Sequence, residues 1–276
     1  MESEQHPSPE LTDEQLAAAI AEPPVSGEWK LYWDAVPPPS QAVLLTLSCL
    51  PELRRRVRLV RVNVLRSQQL TAAFRALSPL HQVPLLEAAG GSVLTESRAI
   101  MAYLAEEAGP AGAALLPDTV RGRAAGLRWT LFDVTCLYPR LKEYHLPVMA
   151  GRAGRPPADA LPPLAEALAV LDAELQRTPY LAGEAASLAD LGLAVTVAQA
   201  RAVGVPLTHL AAVGSWYERL RLRLPGLQHA ERGSAQYAAT LQRLMDAWER
   251  RHSPDTAAER DGPREEAERR DSEGRQ

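Results

Sequence analysis

The residues best suited to bind a ligand lie between positions 78 and 104, in the segment SPLHQVPLLEAAGGSVLTESRAIMAYL. Proline biases Val83 towards an extended conformation and removes the next backbone donor, and a cis Val83–Pro84 bond would leave the N–H and C=O of Val83 open to an extended peptide. Glu96 and Ser97 begin an apolar-periodic helix. There a carboxylate, a hydroxyl and unpaired backbone N–H groups suit an amine and a carboxylate side by side. The segment predicts a site for the two ends of a small acidic peptide.

The elements that position these residues are predicted by hydrophobic period and turn residues. Strands are expected at Lys30–Trp33 and at 57–64, 83–86 and 92–95, with helices at 40–50, 68–77 and 96–107. The order βαβ followed by αββα is that of the thioredoxin-like fold. We therefore expect a thioredoxin-like domain over residues 29–107, with the peptide site at one edge.

The second half of the chain predicts an all-helical domain. Residues 108–118, which contain Gly109-Pro110 and Pro117, are expected to be a linker between the domains. Helices are expected at 119–150, kinked at Pro139 and stopped at Pro147, and then at 157–176, 188–202, 213–224 and 235–251. The helix from Leu188 begins with a capping box, Ser187 to Asp190. The helical domain is thus predicted to span residues 119–252.

Both ends of the chain are polar. Residues 1–28 predict a disordered extension with one short helical candidate, Thr12–Ala21, which begins with a T-x-x-Q capping pattern. Residues 253–276 form a mixed-charge stretch without apolar anchors, for which we expect disorder.

Composition excludes several classes of function. A net charge of −4 and a pI near 5.9 argue against a protein that coats nucleic acid. Cys49 and Cys136 form neither a disulfide framework nor a metal-ligand cluster, so we expect no metal and a reducing, cytoplasmic location. The chain has no run long enough to cross a membrane and no signal-peptide core. We expect neither nucleic acid nor membrane as a partner.

These motifs resemble the glutathione S-transferase family, most closely its delta and epsilon classes. LYWDAVPPPSQAVLLTLSCL is similar to the family's first strand and helix, and NVLRSQQLTAAFRALSPLHQVPLL to the region that ends at the proline turn. LFDVTCLYPRLKEYHLP resembles the delta-class fourth helix, and PYLAGEAASLADL the entrance to the buried sixth helix. The resemblance implies a homodimer in which the first domain of one subunit packs on the helical domain of the other.

The resemblance also implies roles for single residues in binding glutathione as co-substrate. Val83 would pair with the cysteinyl backbone, beside the cis Pro84 and Gln82. Glu96 would bind the γ-glutamyl amine, and Ser97 and Arg98 its carboxylate. The glycine carboxylate would meet His81, while Gln69 replaces a second histidine. Taken singly, a histidine after Pro-Leu is an ordinary surface residue, and Glu-Ser before a helix is an ordinary cap.

The catalytic position departs from the family pattern. The resemblance places a serine, whose hydroxyl donates to the glutathione sulfur, where this chain has Pro37. Proline has neither hydroxyl nor N–H. Tyr32, where other classes carry a catalytic tyrosine, is the candidate catalytic residue, although a packed strand residue is the alternative. Ser40 is a second candidate, with helix capping as the alternative, and Gln41 replaces the family's usual arginine.

Two functions remain open at this point. The first is a glutathione transferase that conjugates the tripeptide to a hydrophobic electrophile, with Tyr138, Leu141 and Tyr144 as walls of the electrophile pocket. For Tyr138, packing in the core is an equally good interpretation. The second is a non-catalytic protein of transferase type that binds or carries an apolar small molecule. Pro37 favours the second, whereas the complete peptide site is compatible with both.

Overall fold

The computed structural model describes residues 10–88 and 90–252. Its first domain contains a four-stranded sheet in the order β2-β1-β3-β4. The strands are β1 (Trp29–Trp33), β2 (Val57–Arg61), β3 (Leu85–Glu87) and β4 (Val93–Leu94). β1 is parallel to β2 and antiparallel to β3, and β3 is antiparallel to β4. This is the predicted thioredoxin-like arrangement.

The side chains of β1 alternate between the two faces of the sheet, and helices pack against both faces. The helices of the domain are α1 (Asp13–Ala21), α2 (Pro38–Ser48), α3 (Pro51–Arg54), α4 (Ala72–Leu77) and α5 (Ser97–Glu107). Leu31 and Trp33 join the large core that contains α2 and α5. Tyr32 belongs to a second core with Phe74 of α4 and Leu16 of α1. The two faces of β1 therefore belong to different parts of the protein.

The N-terminal segment differs from the expected disordered extension. Residues 10–28 lie against the first domain, and Thr12 and Gln15 form the predicted capping box of α1. Leu16 is completely buried, and the Lys30 ammonium donates to the carbonyl of Ala19 at 2.7 Å. The physical reason is that Leu16 packs in an apolar site beside Phe74, and the polar composition of residues 1–28 as a whole does not predict that contact. Residues 1–9 and 253–276, also predicted to be disordered, lie outside the described residues.

The second domain is helical, as predicted. After α6 (Pro110–Ala113) in the expected linker, its helices are α7 (Val120–Phe132), α8 (Tyr138–Met149), α9 (Leu161–Leu175), α10 (Leu188–Ala202), α11 (Ala211–Arg223) and α12 (Leu227–His252). A π-helical turn, Asp133–Leu137, joins α7 to α8. Pro147 lies inside α8 rather than ending it, and the helix continues to Met149.

The capping box that begins α10 is present. Asp190 accepts from the N–H and the hydroxyl of Ser187, and also from the Trp216 indole at 2.9 Å. Burial raises the pKa of Asp190, which these donors oppose. Among residues 10–88 and 90–252, no helix is long and apolar enough to span a membrane, and no group of three potential metal ligands occurs.

Candidate functional site

The loop between β1 and α2 carries the expected catalytic position. Pro37 caps α2 without a side-chain hydrogen bond, and α2 begins at Pro38 because proline suits a first helical turn. Asp34, which is buried, accepts from the N–H of Val36 at 2.9 Å. Burial raises the pKa of Asp34, and the Val36 N–H and the Arg61 guanidinium oppose that shift. The Val36 donor is thus used within the protein, and the three prolines that follow have none.

Ser40 does not replace the missing serine in this arrangement. Its side chain is completely buried, and its Oγ accepts from the N–H of Asp34 at 3.4 Å. The hydroxyl therefore stabilises the loop and the start of α2. Ser40 does not cap α2 either, because the helix has no side-chain cap and the hydroxyl bonds to the loop instead.

The same loop is held from the other side by α12. The Gln41 amide donates to the carbonyls of Ala35 at 2.8 Å and of Ala230 at 3.2 Å. A Cβ atom at Gly233 would lie 1.8 Å from the carbonyl oxygen of Ala35, so only glycine permits this approach. Gln41 thus links the loop to the helical domain, where the family pattern has arginine.

Tyr32 lies in the core. Its side chain is completely buried, and its hydroxyl donates to Glu87 Oε2 at 2.8 Å. Burial, together with the neighbouring Glu87 carboxylate, raises the pKa of Tyr32. The ring packs edge-on against Phe74, on the α4 face of the sheet rather than on the α2 face. This placement favours the packed-strand interpretation over a catalytic role.

The proline turn leaves part of its backbone unpaired. The Val83–Pro84 bond is cis, and Val83 precedes β3, which begins at Leu85. Ser78 bonds both the N–H and the C=O of Gln82, at 3.2 and 3.3 Å, and so fixes the backbone before the turn. The backbone of Gln82 is therefore used in the loop, whereas that of Val83 lies outside the β3 ladder.

Two side chains of the predicted site carry buried polar atoms without a protein partner. They are Nδ1 of His81 and Oε1 of Gln69. His81 also has a positive φ of 55°, which is uncommon for a non-glycine residue. Buried polar atoms in proteins normally have a hydrogen-bond partner, so we expect a polar ligand or water to bond to each of these two atoms.

The start of α5 places Glu96 and Ser97 as predicted. Glu96 precedes the helix at φ 67° and ψ 109°, is exposed, and does not cap the helix with its side chain. Ser97, the first helical residue, is buried with the N–H groups of the first turn. A strained backbone at a non-glycine residue is typical of functional sites. The carboxylate of Glu96 is thus available to an amine.

Arg98 is not placed for the predicted contact with the γ-glutamyl carboxylate. Its guanidinium forms an ion pair with Asp133 and donates to the Gly192 carbonyl at 3.2 Å. Asp133 is completely buried and also accepts from the Thr196 hydroxyl at 2.9 Å. Burial raises the pKa of Asp133, which Arg98 and Thr196 oppose. Arg98 therefore links α5 to the π turn and α10, and it adjoins Ser97 only along the chain.

The sequence did not identify the Asp133 and Thr196 contacts. Asp133 is a single acid inside the apolar stretch LFDVTCL, and a buried acid requires a cationic or donor partner. This need for a partner is the sequence feature from which a contact of Asp133 could have been predicted.

The three expected pocket residues are placed differently from one another. Leu141 is completely buried in the main core, so it is not a free wall of a cleft. Tyr138 and Tyr144 are half-buried, and the Lys142 ammonium lies 5.0 Å from the centre of the Tyr138 ring. Burial raises the pKa of Tyr138. Only the two tyrosines remain candidates for the pocket.

A buried histidine near these tyrosines was not predicted. His145 Nδ1 and the Tyr237 hydroxyl are 2.6 Å apart, and the two rings pack edge-to-face. The Nε2 atom of His145 is buried without a protein partner. Burial lowers the pKa of His145 to about 4. The pair connects α8 with α12.

Comparisons with known proteins agree with this fold. A model described as the glutathione S-transferase N-terminal domain matches residues 39–107, and one for the C-terminal domain matches residues 158–252. A glutathione S-transferase from Anopheles gambiae is 32% identical over 201 residues, which are 73% of this chain and 89% of that protein.

Two solved structures show the same similarity. A delta-class glutathione transferase from Nilaparvata lugens has a TM-score of 0.71 at 31% identity, covering 79% of this chain and 99% of its own. An epsilon-class enzyme from the housefly Musca domestica has a TM-score of 0.71 at 25% identity, covering 79% and 98%. The chain belongs to the glutathione S-transferase family.

Proposed function

We propose that this protein binds glutathione and conjugates it to hydrophobic electrophiles. The observation that carries the proposal is the constellation around the cis Val83–Pro84 bond: an exposed Glu96 carboxylate, Ser97 at a helix start, and buried polar atoms of His81 and Gln69 without protein partners. These groups match the amine, the carboxylates and the backbone of one small acidic peptide. Arg98 has no part in the proposed contact set.

Conjugation in this proposal relies mainly on orientation. Holding two reactants in a productive geometry removes much of the entropic barrier, even when the nucleophile is poorly activated. Tyr138 and Tyr144 supply half-buried aromatic surface for the electrophile. The thiol gains no donor from the loop, since the Val36 N–H is bonded to Asp34 and Pro37 has none.

This loop also favours a second candidate function. Tyr32 is bonded to Glu87, and Ser40 is buried under Asp34, so neither hydroxyl is presented to a bound thiol. A protein with these features can bind glutathione, or an apolar molecule beside it, without turnover. Activity with a generic aromatic halide separates the candidates, because only the transferase shows turnover that saturates with glutathione.

Glutathione binding itself is tested by titration calorimetry. We expect saturable binding at millimolar concentration or below, weakened in Glu96→Ala and in Ser97→Ala. Thr95→Ala is the matched control, since Thr95 is an exposed neighbour outside the proposed contacts. Absence of binding to the unmodified protein would remove both candidate functions. Unchanged affinity in the Glu96 and Ser97 variants would remove those residues from the site.

We further propose a homodimer formed through an apolar face of α7 and α5. Leu127 and Leu131 are 59% and 49% exposed, and they line a groove of about 410 Å³ with Ala99 and Ala102. Contiguous exposed apolar surface of this kind marks association sites. Light scattering should give twice the monomer mass, and Leu131→Asp should give the monomer. A monomeric unmodified protein would contradict the proposal.

Cys49 and Cys136 are unpaired, which suits a cytoplasmic location.

A further inference from the structure

The N-terminal segment is bonded to residues directly behind the glutathione site. Gln68 is buried, and its amide group donates to the carbonyl of Leu11 at 2.8 Å and to Asp13 Oδ1 at 3.0 Å. Its oxygen accepts from the N–H of Asn63 at 2.9 Å. Gln68 precedes Gln69 in one 3₁₀ turn, so the segment fixes the backbone that carries a proposed glutathione ligand.

A second link reaches the loop before α2. Glu10 Oε1 lies 3.3 Å from Arg61 Nη1 and accepts from the Asn63 amide at 3.2 Å. The Nε atom of Arg61 lies 3.5 Å from Asp34 Oδ2, and the other oxygen of Asp34 accepts from the Val36 N–H. Arg61 and Asp34 are both buried. A chain of polar contacts thus runs from Glu10 to the residue before Pro37, in which Arg61 and Asp34 are joined by an ion pair and not by a hydrogen bond.

The segment is anchored firmly enough to transmit these contacts. Leu16 is completely buried beside Tyr32 and Phe74, and Lys30, also completely buried, donates to the Ala19 carbonyl. The Lys30 hydrogen bond thus joins β1 to α1, and the burial of Leu16 supplies the apolar part of the contact. Burial lowers the pKa of Lys30, and the Glu87 carboxylate opposes that shift.

We propose that residues 10–21 form a working part of the glutathione site, with Glu10 and Asp13 as positioning residues. Glu10 acts through Arg61 and Asp34 on the loop at Pro37, and Asp13 acts through Gln68 on Gln69. The proposal rests on the proposed function, because it assigns the segment to the same site. It assigns α1 and the residues before it a role in that site.

The test is the double variant Glu10→Gln with Asp13→Asn, which keeps side-chain shape and removes both charges. The dissociation constant for glutathione and its KM should rise about fivefold, the size expected for loss of partly exposed ion pairs. The KM for the electrophile should stay unchanged and the melting temperature should fall by no more than a few degrees, which separates positioning from general destabilisation. In glutathione-free protein, hydrogen exchange at the Val36 amide should accelerate by a similar factor.

Glu22→Gln is the matched control in the same segment. Glu22 pairs with Arg58 at 2.9 Å on the surface and has no link to the loop. Its glutathione affinity and Val36 exchange should equal those of the unmodified protein.

Two results would overturn the proposal. Unchanged Val36 exchange in the double variant would show that Glu10 does not act on the loop through Arg61. Unchanged glutathione affinity would show that the segment has no effect on the site. Absence of glutathione binding in the unmodified protein is a different failure, because it removes the proposed function. Exchange at Val36 would still report on the link.

Discussion

The N–H of Val36 donates to Asp34 Oδ1 at 2.9 Å, so the last backbone donor before Pro37 is used inside the protein. Pro37, Pro38 and Pro39 supply no further N–H, and the Ser40 hydroxyl is buried against Asp34. The loop that would stabilise a glutathione thiolate is therefore well ordered but poor in donors. Under the proposed function, glutathione binding and thiol activation therefore depend on different parts of the protein.

Restoring a hydroxyl at the loop should restore activation. In Pro37→Ser, kcat/KM for a generic aromatic halide at neutral pH should rise about tenfold, since a one-unit fall in thiol pKa is worth about 1.4 kcal/mol. Pro37→Ala is the control, because it removes the proline without supplying a donor. An equal rise in both variants would show that loop flexibility, rather than a missing donor, limits the reaction.

Tyr32→Phe should leave turnover and glutathione affinity unchanged but destabilise the protein. Its removal leaves the buried Glu87 carboxylate without the phenol donor, at a cost of about 1–3 kcal/mol in the free energy of unfolding. Denaturant unfolding measures this cost. Tyr103→Phe is the control, because Tyr103 is a half-buried tyrosine away from the Glu87 contact. A large loss of turnover with unchanged stability would contradict this interpretation and indicate a catalytic role for Tyr32.

The Arg98–Asp133 pair should behave as a buried ion pair. Arg98→Met leaves the Asp133 carboxylate buried without its cation, so the free energy of unfolding should fall by about 3–5 kcal/mol. Replacing both partners, as Arg98→Met with Asp133→Leu, should recover much of that loss, because no unpaired charge remains. A double variant as unstable as the single one would contradict this account of the domain junction.

His145 should make stability depend on pH. Its pKa is about 4 in the folded protein, below an ordinary value near 6.5, so the unfolded chain binds the proton more readily. Stability contributed by neutral His145 is present above pH ~6.5 and is lost as pH falls towards 4, by at most about 3 kcal/mol.

His145→Phe keeps the aromatic contact with Tyr237 and should flatten the stability profile in that pH window. His209→Gln, at an exposed position, is the control and should leave the profile unchanged. Equal slopes in the unmodified protein and His145→Phe would show that His145 carries no such coupling.

Local patterns predicted most of the fold. The alternation of arginine and apolar residues in β2, the proline turn at Val83 and the box between Ser187 and Asp190 each depend on a few neighbouring residues, and the structure contains all three. The docking of α1 was missed because its short apolar run, residues 16–21, lies between polar stretches and does not by itself reveal what it packs against. Only the site that receives it, beside Phe74, explains the burial of Leu16.

Side-chain direction was the least predictable feature of the candidate site. Arg98 follows Ser97 directly, yet its guanidinium turns towards Asp133, because a buried carboxylate from the second domain attracts it. Leu141 lies one helical turn from Tyr138 but faces the core. Both outcomes depend on how the two domains pack, which spacing along one helix does not specify.

The central claim is that glutathione binds without activation of its thiol. It is tested most directly by the ultraviolet thiolate absorbance of glutathione bound to the unmodified protein, measured as pH is raised. The account predicts a midpoint near the ordinary thiol value of about 8.5, with little thiolate at pH 7. A thiolate band at saturation below pH ~6.5 would contradict it, since the protein would then supply a donor that the loop at Pro37 lacks.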